Sequence, residues 1–139
     1  MKNRWRAAAL GVLLVLNPAI QATAEETSAS GAVSFKNNIV PVLKKRCAIC
    51  HLTGTEAGNM ALHPRAAYGY LVDVASVQAP GMMRVLPGDP GQSYLIRKLE
   101  GTHLDAGGTG LRMPFNEPPL DATTLALFRE WVASGAAND

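Results

Sequence analysis

The chain has 139 residues with 13 basic and 11 acidic side chains, a formal charge of +2, and only 6% aromatic residues. Three of the basic groups, Lys2, Arg4 and Arg6, stand at the very start, so the remainder holds 10 basic against 11 acidic. That balance argues against nucleic acid as a partner, which calls for a strong basic excess, and the length fits one domain.

Those basic residues open a targeting segment. Residues 7–16 form an apolar run, Asn17-Pro18 interrupts it, and Ala22-Thr23-Ala24 supplies a small-x-small cleavage pattern. A membrane-spanning helix needs about 20 apolar residues, and this run has roughly half that. Residues 1–24 are therefore expected to be a signal peptide cleaved after Ala24. The mature chain is then periplasmic or secreted, with no membrane span, and no cysteine lies near the cleavage point to carry a lipid anchor. Residues 25–32 are small and polar and read as a flexible leader, leaving 33–139 as the folded domain.

From Ser34, a good N-cap, the pattern is helical: Phe35, Ile39, Leu43 and Cys47 recur at spacings of four. Pro41 either kinks this helix or marks its start after an irregular turn. Lys44, Lys45 and Arg46 stand at its end, where the helix dipole favours positive charge. A basic patch for docking a partner is the alternative use of these three.

The helix runs into Cys47-Ala48-Ile49-Cys50-His51, which holds the only two cysteines of the chain. Thiols separated by two residues lie about one turn apart and can reach the vinyl groups on one edge of a porphyrin. The histidine that follows falls under the iron as an axial ligand. A disulfide between these cysteines would close too small a loop to stabilise a fold much. A redox dithiol or an incomplete zinc site are the other readings. The dithiol wants a preceding strand in a βαβ setting, and the pattern here is helical. One motif implies one covalent haem (haem c), and its propionates would make the mature chain more acidic still.

Residues 53–64 read as a loop, with Gly54, Gly58 and Asn59 as turn signals. A second helix is expected over 65–74, with Tyr68, Leu71 and Val72 on one side. Residues 78–90 are irregular, broken by three prolines and two glycines. Asp89-Pro90 opens a third helix with Tyr94, Leu95, Lys98 and Leu99 at helical spacing, and Gly101 closes it. Residues 101–112 are glycine-rich and read as a mobile loop. Met113-Pro114 follows. The last helix is capped by Asp121, carries Leu125, Phe128, Trp131 and Val132 as its apolar stripe, and ends at Gly135. No strand pattern or repeat emerges, so the expected class is all-α, with three to five helices and long irregular loops.

A haem iron held by one histidine leaves its opposite face open. Met113 is the leading candidate for that position. It lies in a non-helical segment ahead of the last helix, and Pro114 restricts its backbone to extended conformations, which suits a strap across a flat ring. A neutral thioether also raises the potential relative to an imidazole. The alternative role for Met113, as for Met60, Met82 and Met83, is filling gaps in the core. His103, in the glycine-rich loop, and His63, before a proline, are the remaining candidates. Asp73, Asp89, Glu100 and Asp105 read as caps and solvated surface, and no nucleophile motif stands out. Arg112 reads as a propionate partner or a surface residue.

Taken together these segments resemble the small class I-like cytochrome c domains of exported bacterial proteins. The resemblance rests on Cys47-Ala48-Ile49-Cys50-His51 with Phe35, Ile39, Pro41 and Leu43 before it. It extends to residues 84–90 with Ser93-Tyr94-Leu95 and Lys98-Leu99, to Arg112-Met113-Pro114, and to Pro119-Leu120, Trp131-Val132 and Gly135-Ala136. It spans nearly all of 33–138. It implies thioethers at Cys47 and Cys50, proximal His51, distal Met113, and a first and last helix that cross near the haem. Phe35 and Ile39 would then meet Phe128 and Trp131, with Trp131 packing in the core. The chain departs from the family where Phe115-Asn116-Glu117 replace a second proline and glycines.

The expected function is a single-electron carrier between protein redox partners, not an enzyme. The alternatives are a haem enzyme or small-ligand sensor with a displaceable sixth ligand, or the electron-transfer subunit of a larger oxidoreductase. With so few aromatic residues the porphyrin would supply much of the core, so the chain is expected to fold poorly without it.

Overall fold

The computed structural model describes residues 31–139, so the expected signal peptide, and the leader up to residue 30, lie outside the described residues. Regular structure in the described residues is helical. A wide turn over Phe35–Ile39 leads into α1 (Val40–Arg46). Helices α2 (Ala67–Leu71), α3 (Tyr94–Glu100) and α4 (Ala122–Ala133) follow, with a 3₁₀ turn at Pro90–Gln92 just ahead of α3. Among the described residues there is no strand, only the isolated bridges Val72–Val85, Ala75–Met83 and Met83–Ser93. None of these helices is long and apolar enough to cross a membrane.

The first helix accommodates its proline by widening the turn before it. Ser34 caps the start, its hydroxyl accepting the Asn37 N–H at 3.2 Å. The Val40 N–H then reaches back five residues to the Phe35 carbonyl instead of four. Pro41 comes next, in the opening turn of α1, where a missing N–H removes no helical bond. The irregular start, not a kink, is thus how the chain places Pro41.

That wide turn meets α4 in the core. The Phe35 ring lies 5.0 Å from Trp131, tilted by 32°, and 5.3 Å from Tyr68 in an edge-on arrangement. Ile39 and Phe128 are buried in the same cluster. The polar handles of the aromatic residues are satisfied: Trp131 Nε1 donates to the Ala137 carbonyl at 2.9 Å and the Tyr68 hydroxyl to Ala136 at 3.0 Å. The Lys36 N–H donates to the Asp139 carbonyl (2.9 Å) and the Phe35 N–H to the Asp139 carboxylate (2.8 Å). A Glu100–Arg129 ion pair joins α3 to α4. Phe35→Ala is expected to cost about 3–5 kcal/mol, the usual loss for truncating a buried phenylalanine. Denaturant titration of the variant would check this. A midpoint within error of wild type would mean that the stack is not what joins the Phe35–Ile39 turn to α4.

Two helices differ from the sequence expectation. The second ends at Leu71 rather than Val74. Val72 is extended (ψ 128°) and Asp73 takes a positive φ of 56°, because this segment pairs with residues 84–85 instead. The Asp73 N–H donates to Val85 (3.1 Å) and the Arg84 N–H to Val74 (2.7 Å). The third helix starts at Tyr94, not at Pro90. Asp89 caps only the short 3₁₀ turn, through the Gln92 N–H at 3.0 Å, and Ser93 is extended. The fourth helix runs as expected from its Asp121 cap, which accepts the Thr124 N–H at 2.9 Å.

The glycine-rich segment is also tied down rather than loose. Lys98 Nζ donates to the carbonyls of Thr109 (3.0 Å) and Leu111 (2.7 Å), and the Thr109 N–H donates to Gln78 (3.0 Å). Gly108 allows the close approach: a Cβ there would come within 2.5 Å of the Tyr94 ring and 2.7 Å of the His103 carbonyl.

Candidate cofactor site

A cavity of about 380 Å³ opens between the end of α1, helix α3 and the segment that carries Met113. Cys47, Cys50, His51 and Met113 all line it, although 62 positions separate the last two. Leu62, Leu71, Leu95 and Leu99 supply apolar walls. His63, His103, Met82 and Met83 are not among the lining residues. Met60 is, but two residues on the Leu62 N–H donates to the His51 carbonyl at 2.7 Å, so Met60 belongs to the wall that holds His51. Met113 comes from elsewhere: its N–H donates to the Lys98 carbonyl at 3.0 Å, which fastens it to α3.

The attachment residues form a compact turn at the end of α1. Both the Cys50 and His51 N–H groups donate to the Cys47 carbonyl at 3.1 Å. Cys47 is half-buried and Cys50 exposed, and the two sulfurs are not joined. Burial pushes the Cys47 thiol up to about 11, so it stays protonated at neutral pH. A dithiol redox centre needs the opposite shift, toward a reactive thiolate.

His51 is only 7% exposed, and its Nδ1 is buried without a hydrogen-bond partner. Burial lowers its pKa, with Lys98 adding to the effect and Glu56 opposing it. The ring is thus held neutral, the form in which an imidazole donates a lone pair to a metal. His103 is buried too, its Nδ1 likewise without a partner, but it lies outside the cavity wall. Its Nε2 lies 2.9 Å from the Gly110 carbonyl, and its ring meets Tyr94 edge-on at 6.5 Å, so it serves to fix the 101–112 segment.

The loop after His51 is set by Glu56. Its carboxylate accepts the N–H groups of Thr53 and Gly54, each at 2.9 Å, and the Thr53 hydroxyl at 2.8 Å. These bonds, the Thr53 N–H first, hold its pKa down from 4.5 to about 2. Because the folded value lies below the unfolded one, this stabilisation is present above about pH 4.5 and is lost as the pH falls toward 2. Thermal midpoints of wild type and Glu56→Gln are therefore expected to converge across that interval. A constant difference would exclude the cap.

Two further residues of the cavity wall had no strong sequence signal. Arg84 and Lys98 are 6% and 5% exposed, and burial lowers the pKa of each. Arg84 donates to the carbonyls of Tyr70 (2.7 Å), Gly58 (2.8 Å) and Asn59 (3.0 Å). Lys98 has its two carbonyl partners and the Tyr94 ring, 5.7 Å from its Nζ. Among the described residues the ion pairs are Arg46–Glu117 and Glu100–Arg129, neither of which involves these cations. Buried charges are as a rule balanced by opposite charge. An apolar cavity edged by two buried cations suits a flat apolar ring that carries carboxylates.

The residues therefore fit a haem on four counts: thiols one turn apart, a buried neutral imidazole beside them, a thioether from a separate wall, and two buried cations with no carboxylate partner among the described residues. No group of three or more His, Cys, Asp or Glu side chains capable of holding a bare metal ion occurs among the described residues. Searches against models of known protein families, characterised proteins and solved structures return no match, which leaves the residues themselves as the ground for assigning a function.

Proposed function

We propose that the chain is a mono-haem c-type cytochrome of class I-like fold, exported to the periplasm or beyond, that passes single electrons between protein partners. One observation carries this reading: Cys47, Cys50, His51 and Met113, drawn from two distant segments, line one largely apolar cavity. The all-α architecture and the meeting of Phe35 with Trp131 support it.

Haem, when bound, supplies a one-electron ferric–ferrous couple. Cys47 and Cys50 would hold it through two thioether bonds. His51 would offer the iron an imidazole nitrogen, and Met113 a thioether sulfur. The leucines of the wall exclude water and favour the less charged ferrous state, while Arg84 and Lys98 offset the propionates. With both iron ligands supplied by the chain, no substrate would need to reach the metal, which favours a carrier over an enzyme.

A displaceable sixth ligand would be helped by a mobile 101–112 segment, and the bonds from Lys98 and Tyr94 to that segment favour the carrier instead. Exposing the ferrous protein to carbon monoxide at neutral pH tests the choice. The carrier is expected to bind little, and rapid, complete binding would overturn it.

A further inference from the structure

Resting on the haem reading, we propose that the Arg46–Glu117 pair is a latch that holds the Met113 strap against the attachment helix, which makes both residues positioning residues for the sixth ligand. Arg46 is the last residue of α1, next to Cys47, and Glu117 lies four residues past Met113. Arg46 Nε donates to Glu117 Oε2 at 2.6 Å, and its Nη2 to the Pro118 carbonyl at 3.1 Å. Both side chains line the cavity.

The strap has little else to keep it in place. Pro114 and Leu120 are buried at its two ends, but residues 115–119 between them are all exposed. Every hydrogen bond those five residues make among the described residues comes from one of two arginines. Arg112 Nη2 donates to the Glu117 carbonyl at 2.9 Å, and the other two bonds are those of Arg46. Arg112 is local, one residue before Met113, and its Nη1 also donates to the Met113 carbonyl at 3.3 Å. Arg46 alone reaches across 71 positions from the attachment side. The pair therefore joins the segment carrying the covalent bonds to the segment carrying the distal sulfur. Glu117 belongs to the Phe115-Asn116-Glu117 stretch in which this chain departs from the family it resembles.

An exposed ion pair is weak in isolation, and a latch needs only to bias the strap between closed and swung-away positions. Imidazole added to the ferric holoprotein competes with Met113 for the iron, so its affinity reports how readily the strap lets go. Arg46→Gln and Glu117→Gln are each expected to raise that affinity about fivefold. The double variant should fall well short of the sum of the two, since each change already breaks the ion pair. The charge-exchanged pair Arg46→Glu with Glu117→Arg should return the affinity toward wild type.

Wild-type affinity in both single variants would overturn the latch, as would full additivity in the double. So would shifts of opposite sign, because a charge acting through space on the iron reverses when the charge removed is negative instead of positive. A haem-bearing wild type with indifferent variants sinks only the latch. A wild-type chain exported without covalent haem sinks the cytochrome reading beneath it.

Discussion

Replacing Cys47 and Cys50 together by serine is expected to yield an exported chain without covalent haem that fails to reach the native fold. The cavity those cysteines border has a volume of about 380 Å³. Without a porphyrin its apolar walls stay in contact with water, at about 25 cal/mol for each Å² of apolar surface left unburied. Whole-domain stabilities are about 5–15 kcal/mol, so such a penalty weighs heavily. Arg84 and Lys98 would also remain buried without a carboxylate partner. Intact mass and the Soret band report attachment, while far-ultraviolet circular dichroism and protease resistance report folding. A haem-free serine variant with wild-type helicity and melting temperature would show that the four helices close without the porphyrin.

The second large effect belongs to Met113. Met113→Ala removes the thioether but keeps Pro114 buried and leaves the N–H bond to Lys98 available, so the strap stays anchored to α3. The iron should then take water or carbon monoxide, the weak far-red sulfur-to-iron band should vanish, and the midpoint potential should fall. A drop on the order of 100 mV is reasonable, against the ~0.8 V that axial ligation spans across haem proteins. Optical spectra and a potentiometric titration of the purified holoprotein check all three. If the far-red band survives in Met113→Ala and disappears in Met60→Ala, the distal sulfur comes from the other methionine of the wall.

What the sequence made legible was local. The Ser34 and Asp121 caps, the four-residue stripe of Phe35, Ile39 and Leu43, and the turn from Cys47 to His51 each need only neighbouring residues, and each stands where expected. Pro41 pointed to either a kink or an irregular start, because its ring forbids an ordinary helical bond, and the structure has the irregular start. The less legible features depend on partners far along the chain. Val72 and Asp73 leave the second helix because residues 84–85 offer them hydrogen bonds, which no period within 65–74 can signal. Lys98 read as part of a helical stripe, yet its ammonium is buried and fastens a loop ten and more residues on, turning an apparently mobile glycine-rich stretch into a fixed wall. Arg84 is hidden for the same reason. Nothing near it in sequence identifies Gly58, Asn59 and Tyr70 as its acceptors.

The widened turn ahead of Pro41 amounts to one surplus residue threaded into a helix. Deleting a residue there would tighten the coil into regular geometry, but it would also rotate everything upstream by about 100° about the axis. Phe35 would then face away from Trp131 and Tyr68. Spacing, as well as side-chain identity, is fixed in this stretch, and substitutions should be tolerated there more readily than changes in length.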